Sequence, residues 1–145
     1  MTQRPLSPHL SIWKWGPHML VSILHRVTGD GMALVGLPVL VWWLTALASG
    51  PAAYASFTGW MWADLGGLEW SGFGAIAASF VKILLKLAMI GISWAFFNHL
   101  VSGLRHFVMD IGAGYELTIN KTFSVLSPVL GVVLTAAFWA LLLWR

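Results

Sequence analysis

Three long runs without a formal charge decide what this chain can fold into. Between Asp30 and Asp64 lie 33 uncharged residues, between Lys86 and Arg105 lie 18, and between Lys121 and Arg145 lie 23. A bilayer core of about 30 Å takes about 20 helical residues, at about 1.5 Å each. Each run therefore spans once its flanking residues are added, and the chain reads as an all-α membrane protein with three transmembrane helices. Composition agrees: only 8 basic and 5 acidic side chains serve 145 residues, whereas about a quarter of a soluble domain is charged. A soluble globule, a disordered tail and a basic nucleic-acid binder are excluded. With no cysteine, the chain itself cannot hold a disulfide, a thiolate zinc or an iron–sulfur cluster.

The expected division is a surface segment over 1–17, a first span over 18–48, an outer interfacial loop over 50–75, a second span over 77–109, a loop over 111–121 and a third span over 122–144. Pro38 is expected to kink the first span, which membrane helices tolerate. The N-terminal segment carries Arg4, Pro5, Pro8, Trp13, Lys14, Trp15 and Pro17, so it reads neither as a signal peptide nor as an Arg/Ser-rich presequence. The stretch from Gly50 to Gly74, with Tyr54, Trp60, Trp62 and Trp70, reads as an interfacial loop with room for a short surface helix. Orientation follows from basic residues. Arg4, Lys14, Arg26, Arg105 and Lys121 fall on one side, and Lys82, Lys86 and Arg145 on the other. That favours a cytoplasmic N-terminus and an outer C-terminus, with Lys82 and Lys86 snorkelling at the outer end of the second span.

Polar residues inside a span are costly, so they are candidates for function. Ser22, His25, Arg26 and Gly29 recur at i, i+3, i+4 and i+7, one helix face. A hydroxyl, an imidazole and a guanidinium together suit a polar head bearing carbonyl oxygens, or a carboxylate. The plain alternative is a helix start, with Ser22 near an N-cap and Arg26 pairing with Asp30 or with headgroups. His99, Gly103, His106 and Asp110 share a face of the second span. An imidazole with a side-chain-free glycine one turn away leaves room for a large flat group, and haem is the natural candidate. His106, about 10 Å along the axis, cannot bind the same iron, but it and Arg105 could reach a propionate. The alternative has His99 bonded to a neighbouring helix and Arg105, His106 and Asp110 marking the membrane exit. One well-placed intramembrane ligand implies that a second comes from a partner membrane subunit. No hydrolytic constellation, phosphate loop or paired carboxylates occur.

At these clusters the sequence resembles the cytochrome b membrane-anchor subunits of succinate dehydrogenase, respiratory complex II. The pieces are Arg4-Pro5-Leu6-Ser7-Pro8-His9-Leu10, Ser22-Ile23-Leu24-His25-Arg26-Val27-Thr28-Gly29, and His99, Gly103, Arg105, His106 and Asp110. Their order and spacing cover nearly the whole chain. The resemblance implies three helices forming half of a haem- and quinone-binding bundle, completed by a second anchor subunit. It implies His99 as the axial ligand of one shared haem b, and His25, Arg26, Arg105 and His106 beside its propionates. It implies a ubiquinone site lined by Ser22, Arg26, Trp15 and Met19, and a structural or propionate-side place for Asp110. An iron–sulfur subunit and a flavoprotein subunit would deliver electrons from succinate. The expected location is a bacterial inner membrane. The long Gly/Trp-rich loop departs from the resemblance. Other readings are a fumarate reductase anchor using menaquinone, a transporter subunit with His99 on a proton path, and a plain anchor.

Overall fold

A computed structural model describes residues 9–61 and 68–144; residues 4–8 of the first motif, Trp62 and Arg145 lie outside them. The described residues are helical with short connections and contain no strand. After a single turn at His9–Ile12, the elements are α1 (Pro17–Ala48), α2 (Pro51–Met61), α3 (Phe73–Asp110) and α4 (Leu117–Trp144). Of these, α1, α3 and α4 are long and apolar enough to cross a membrane.

Pro17 opens α1 at the first helical position, where its missing N–H costs nothing. The helix is disturbed before Pro38 rather than at it: Met32–Gly36 form a wide π turn, and Leu37 N–H bonds back to the Met32 carbonyl. The proline ring crowds the carbonyl four residues earlier and offers no N–H. One five-residue turn absorbs both problems without breaking the rod.

The region expected as an outer loop holds more structure than that. Gly50, with φ of 100°, reverses the chain, and α2 folds back against the end of α1. Phe57 and Met61 are buried with Ala46, against Val39, Ala53, Leu85 and Met89, and Trp42 meets Phe57 edge-on at 5.0 Å. The Glu69 backbone N–H donates to Ser79 Oγ, which in turn donates to the Glu69 carbonyl, so the following segment is tied to α3.

With 38 residues, α3 is about 57 Å long and exceeds a bilayer core. It starts four residues before the expected 77. It ends in a Schellman turn: Ala113 N–H reaches the Val108 carbonyl and Gly112 N–H the Met109 carbonyl, with Gly112 at φ 82°. The last helix also begins earlier than expected, at Leu117 instead of 122, because Asn120 is drawn into the bundle by α3.

Small side chains let α3 and α4 approach closely. A Cβ on Gly131 would lie 3.0 Å from Asn98 Cα, and Asn98, Ser102, Ser124, Ser127 and Thr135 are buried. Close backbone approach through small residues is how membrane helices associate when hydrophobic burial gives no preference. Gly131→Ala is therefore expected to destabilise the subunit by about 1–3 kcal/mol, read as a lower thermal unfolding midpoint of the purified assembly. An unchanged midpoint would show that the helices can part without cost.

Candidate functional site: three imidazoles between two helices

The His25 and His99 rings stack across the α1–α3 interface, centroids 3.8 Å apart and planes at 13°. His106 joins them, 5.0 Å from His25. The helix period explains the gathering: His99 and His106 are seven residues apart on α3, two turns on one face, and α1 presents His25 between them.

Why can α1 come so near? Gly29 lies one turn beyond His25, and a Cβ there would stand 2.9 Å from His99 Cε1. The glycine is the space that the imidazole fills. Thr28, buried beside it, donates to the Leu24 carbonyl at 2.6 Å.

The hydrogen bonds fix the tautomer of His99. Its Nδ1 lies 2.9 Å from the His25 carbonyl oxygen, which can only accept, so Nδ1 carries the proton. Thr28 Oγ1, 3.3 Å away, has spent its own hydrogen on Leu24 and shares that proton as acceptor. A neutral His99 then presents Nε2 as a lone pair. Histidine ligands to metals are oriented by this kind of second bond, from the other ring nitrogen to a backbone carbonyl. His106 is held alike, its Nδ1–H donating to the Ser102 carbonyl at 2.7 Å. The buried His25 Nδ1 in the stack has no hydrogen-bond partner. Buried polar atoms are normally paired. Beside Gly103 the surface is open, since a Cβ there would meet nothing within 4 Å. A tethered imidazole, an unpaired ring nitrogen and an open strip suit a flat, carboxylate-bearing group such as haem, so the residues present fit it.

The other expected site residues are placed as follows. Arg105 does not join the imidazoles: its guanidinium donates to Asn120 Oδ1 on α4, because it stands about 100° round the helix from His106. Ser22 and Arg26 are exposed on α1, with Met19 on the same flank. Trp15 lines a cavity of about 350 Å³ with Pro17, Leu20, Ser124 and Pro128; Ser22 and Arg26 are not in its wall. Asp110 ends α3, exposed. Sequence reasoning missed Thr28 and Asn120. A Thr one turn before Met32 and an Asn in a loop carry no signal until the partner helix is known. It also missed His18, whose Nδ1 lies 3.1 Å from Ser124 Oγ.

The fold and site thus define a three-span integral membrane subunit in which His25, His99 and His106 converge at one helix interface. The family described as succinate dehydrogenase/fumarate reductase transmembrane subunit matches residues 1–143, and the chain belongs to it. Among relatives, the succinate dehydrogenase cytochrome b556 subunit of Paracoccus denitrificans is 33% identical, over 79% of this chain and 72% of its own length. That of Rickettsia felis is 29% identical over 94% and 91%. The cytochrome b560 subunit of Reclinomonas americana is 34% identical over 97% and 84%. These likenesses make the chain a cytochrome b-type membrane anchor of complex II, and they do not favour a fumarate reductase or transporter role.

Proposed function

We propose that this subunit holds one haem b at its histidine cluster and forms part of a ubiquinone-reduction site, within a succinate:quinone oxidoreductase. The observation that carries the reading is the His99 Nδ1–H bond to the His25 carbonyl, which commits Nε2 to act as an acceptor or metal ligand. His99 is the axial ligand on this chain. The second ligand would come from a partner membrane subunit, because His106 projects from the same face of α3 as His99 and cannot approach one iron from the opposite side, and its Nδ1 is occupied. His25, Arg26, Arg105 and His106 would serve the propionates; the unpaired His25 Nδ1 supports this, while Arg105 would have to swing from Asn120 on α4 to take part. Bound here, haem supplies a one-electron reservoir whose potential responds to its imidazole ligands and nearby cations.

Ser22 and Arg26, with Met19 and Trp15, form this chain's share of the quinone pocket. Their exposure on α1 leaves them facing whatever docks there. Arg26 offers a permanent cationic fork and Ser22 a hydroxyl, a pair that stabilises negative charge growing on a quinone carbonyl oxygen. Succinate is oxidised elsewhere, in a flavoprotein subunit, and an iron–sulfur subunit carries the electrons here. The N-terminus faces the cytoplasm, a reading supported by the basic-residue count, and we place the assembly in a bacterial inner membrane.

Purification of the assembly from native membranes, with visible spectroscopy on the same sample, tests the proposal. The expected result is one b-type haem per copy of this subunit and a second membrane subunit; an assembly without haem would sink it. Gly29→Ala gives a finer test. The added methyl drives into a ring that two acceptors hold in place, so haem content after purification should fall several-fold and the fold should lose about 1–3 kcal/mol. Full haem retention would mean that His99 is free to move.

A further inference from the structure

This chain's share of the quinone pocket proposed above, Ser22, Arg26, Met19 and Trp15, includes no proton donor. Reducing a quinone to a quinol takes two electrons and two protons. At neutral pH a serine hydroxyl, an indole and a thioether do not release protons, and a guanidinium stays charged. We propose that His18 is the residue that protonates the quinone oxygen, a role that rests on the quinone-site reading.

Three observations point to it. His18 stands in the first turn of α1, one turn before Ser22 and two before Arg26, so the three make a stripe at i, i+4 and i+8. Residues at i and i+4 have Cβ atoms about 5–6 Å apart. Its side chain is half-buried, at the border between the exposed flank carrying Met19, Ser22 and Arg26 and the bundle interior. Its ring is also anchored. Ser124 Oγ donates to the Asn120 carbonyl at 2.7 Å, so it can only accept from His18, whose Nδ1 therefore carries a proton at 3.1 Å. The anchor is itself braced, because Asn120 Oδ1 accepts from Arg105. One nitrogen is committed to the scaffold and Nε2 is left for proton exchange, the usual division of labour in an acid–base histidine.

The charged groups on the elements around His18 do not replace it. Lys14 and Lys121 are exposed. Arg26 and Arg105 are guanidinium groups. Asp30, the acid on α1, is twelve residues on, about 18 Å along the axis.

The step balances simply. As two electrons arrive from succinate, the Nε2–H bond of the doubly protonated His18 ring breaks, leaving the neutral tautomer with its proton on Nδ1, and an O–H bond forms at the reduced oxygen. A proton from the aqueous phase, relayed by water at the membrane edge, restores Nε2–H. A second proton from the aqueous phase reaches the other oxygen by the same kind of relay.

The test uses the whole complex in membranes, with a short-tailed ubiquinone as acceptor and a soluble dye as a bypass that takes electrons before the quinone pocket. His18→Gln keeps an amide that can bond Ser124 but cannot cycle a proton. The expected result is a fall in quinone kcat of at least tenfold, with KM within about twofold, the dye rate unchanged and the b-type spectrum intact. Wild-type quinone kcat in His18→Gln overturns the proposal, and if His18→Ala is slow in the same series, the residue is only a hydrogen-bonding post. Should His18→Gln fail to assemble, His18→Asn is read by the same criteria. Arg26→Ala separates the two readings. If it leaves quinone turnover untouched, the pocket is misplaced and the His18 role falls with it; if it slows turnover while His18→Gln does not, only the His18 role is lost.

Discussion

Membranes carrying the His99→Ala complex are expected to lose the reduced-minus-oxidised b-type band almost completely. The ligand atom disappears, and so does one of the donors to the His25 carbonyl, at 2.9 Å. Neither neighbour replaces it. The His106 Nδ1 is tied to the Ser102 carbonyl on its own helix, and the His25 ring lies flat against the face of the His99 ring, 3.8 Å away, instead of pointing a nitrogen along the same line. His25→Ala and His106→Ala should instead keep the band and move its midpoint potential, since they remove groups beside the propionates and not the ligand. Retention of an unaltered low-spin spectrum in His99→Ala would place the iron elsewhere.

The second large effect concerns Arg26. Its guanidinium is exposed and its charge is permanent, so its contribution to quinone reduction comes from bonds that strengthen as the oxygen becomes negative. A charge-assisted hydrogen bond is worth about 1.5–3 kcal/mol. Arg26→Ala should therefore lower quinone-reductase kcat/KM by about ten- to a hundredfold, leaving succinate-to-dye turnover intact. Arg26→Lys keeps the charge but loses the planar fork and should fall between. Ser22→Ala removes a neutral bond and should cost about two- to tenfold. Quinone turnover at the wild-type rate in both alanine variants would return the motif to the plain reading, a helix start beside headgroups.

Much of this arrangement was legible along the chain. Runs without charge mark helices that can span, since no unpaired ionic group survives in hydrocarbon at low cost. The 100° step between residues puts His99 and His106 on one face of α3, and Ser22 and Arg26 on one flank of α1. The same step argues that Arg105 must point away from His106, and α4 shows what waits there: Asn120. Less was legible in the outer region. Its Gly50–Pro51 reversal and aromatic residues read as a loop, yet Phe57 and Met61, one turn apart, find Ala46 and bury themselves.

The sequence by itself determined a three-span membrane subunit and the polar residues that need a reason to be there, because hydropathy and helical period are local properties. Only the tertiary structure decided which groups meet. The His25–His99 stack, the Gly29 recess that admits the ring and the His18–Ser124 tether join residues 74, 70 and 106 positions apart. Such pairings depend on the depth and rotation at which helices settle against one another, and those are set by the fit of small side chains across the interface, a quantity that no single helix carries.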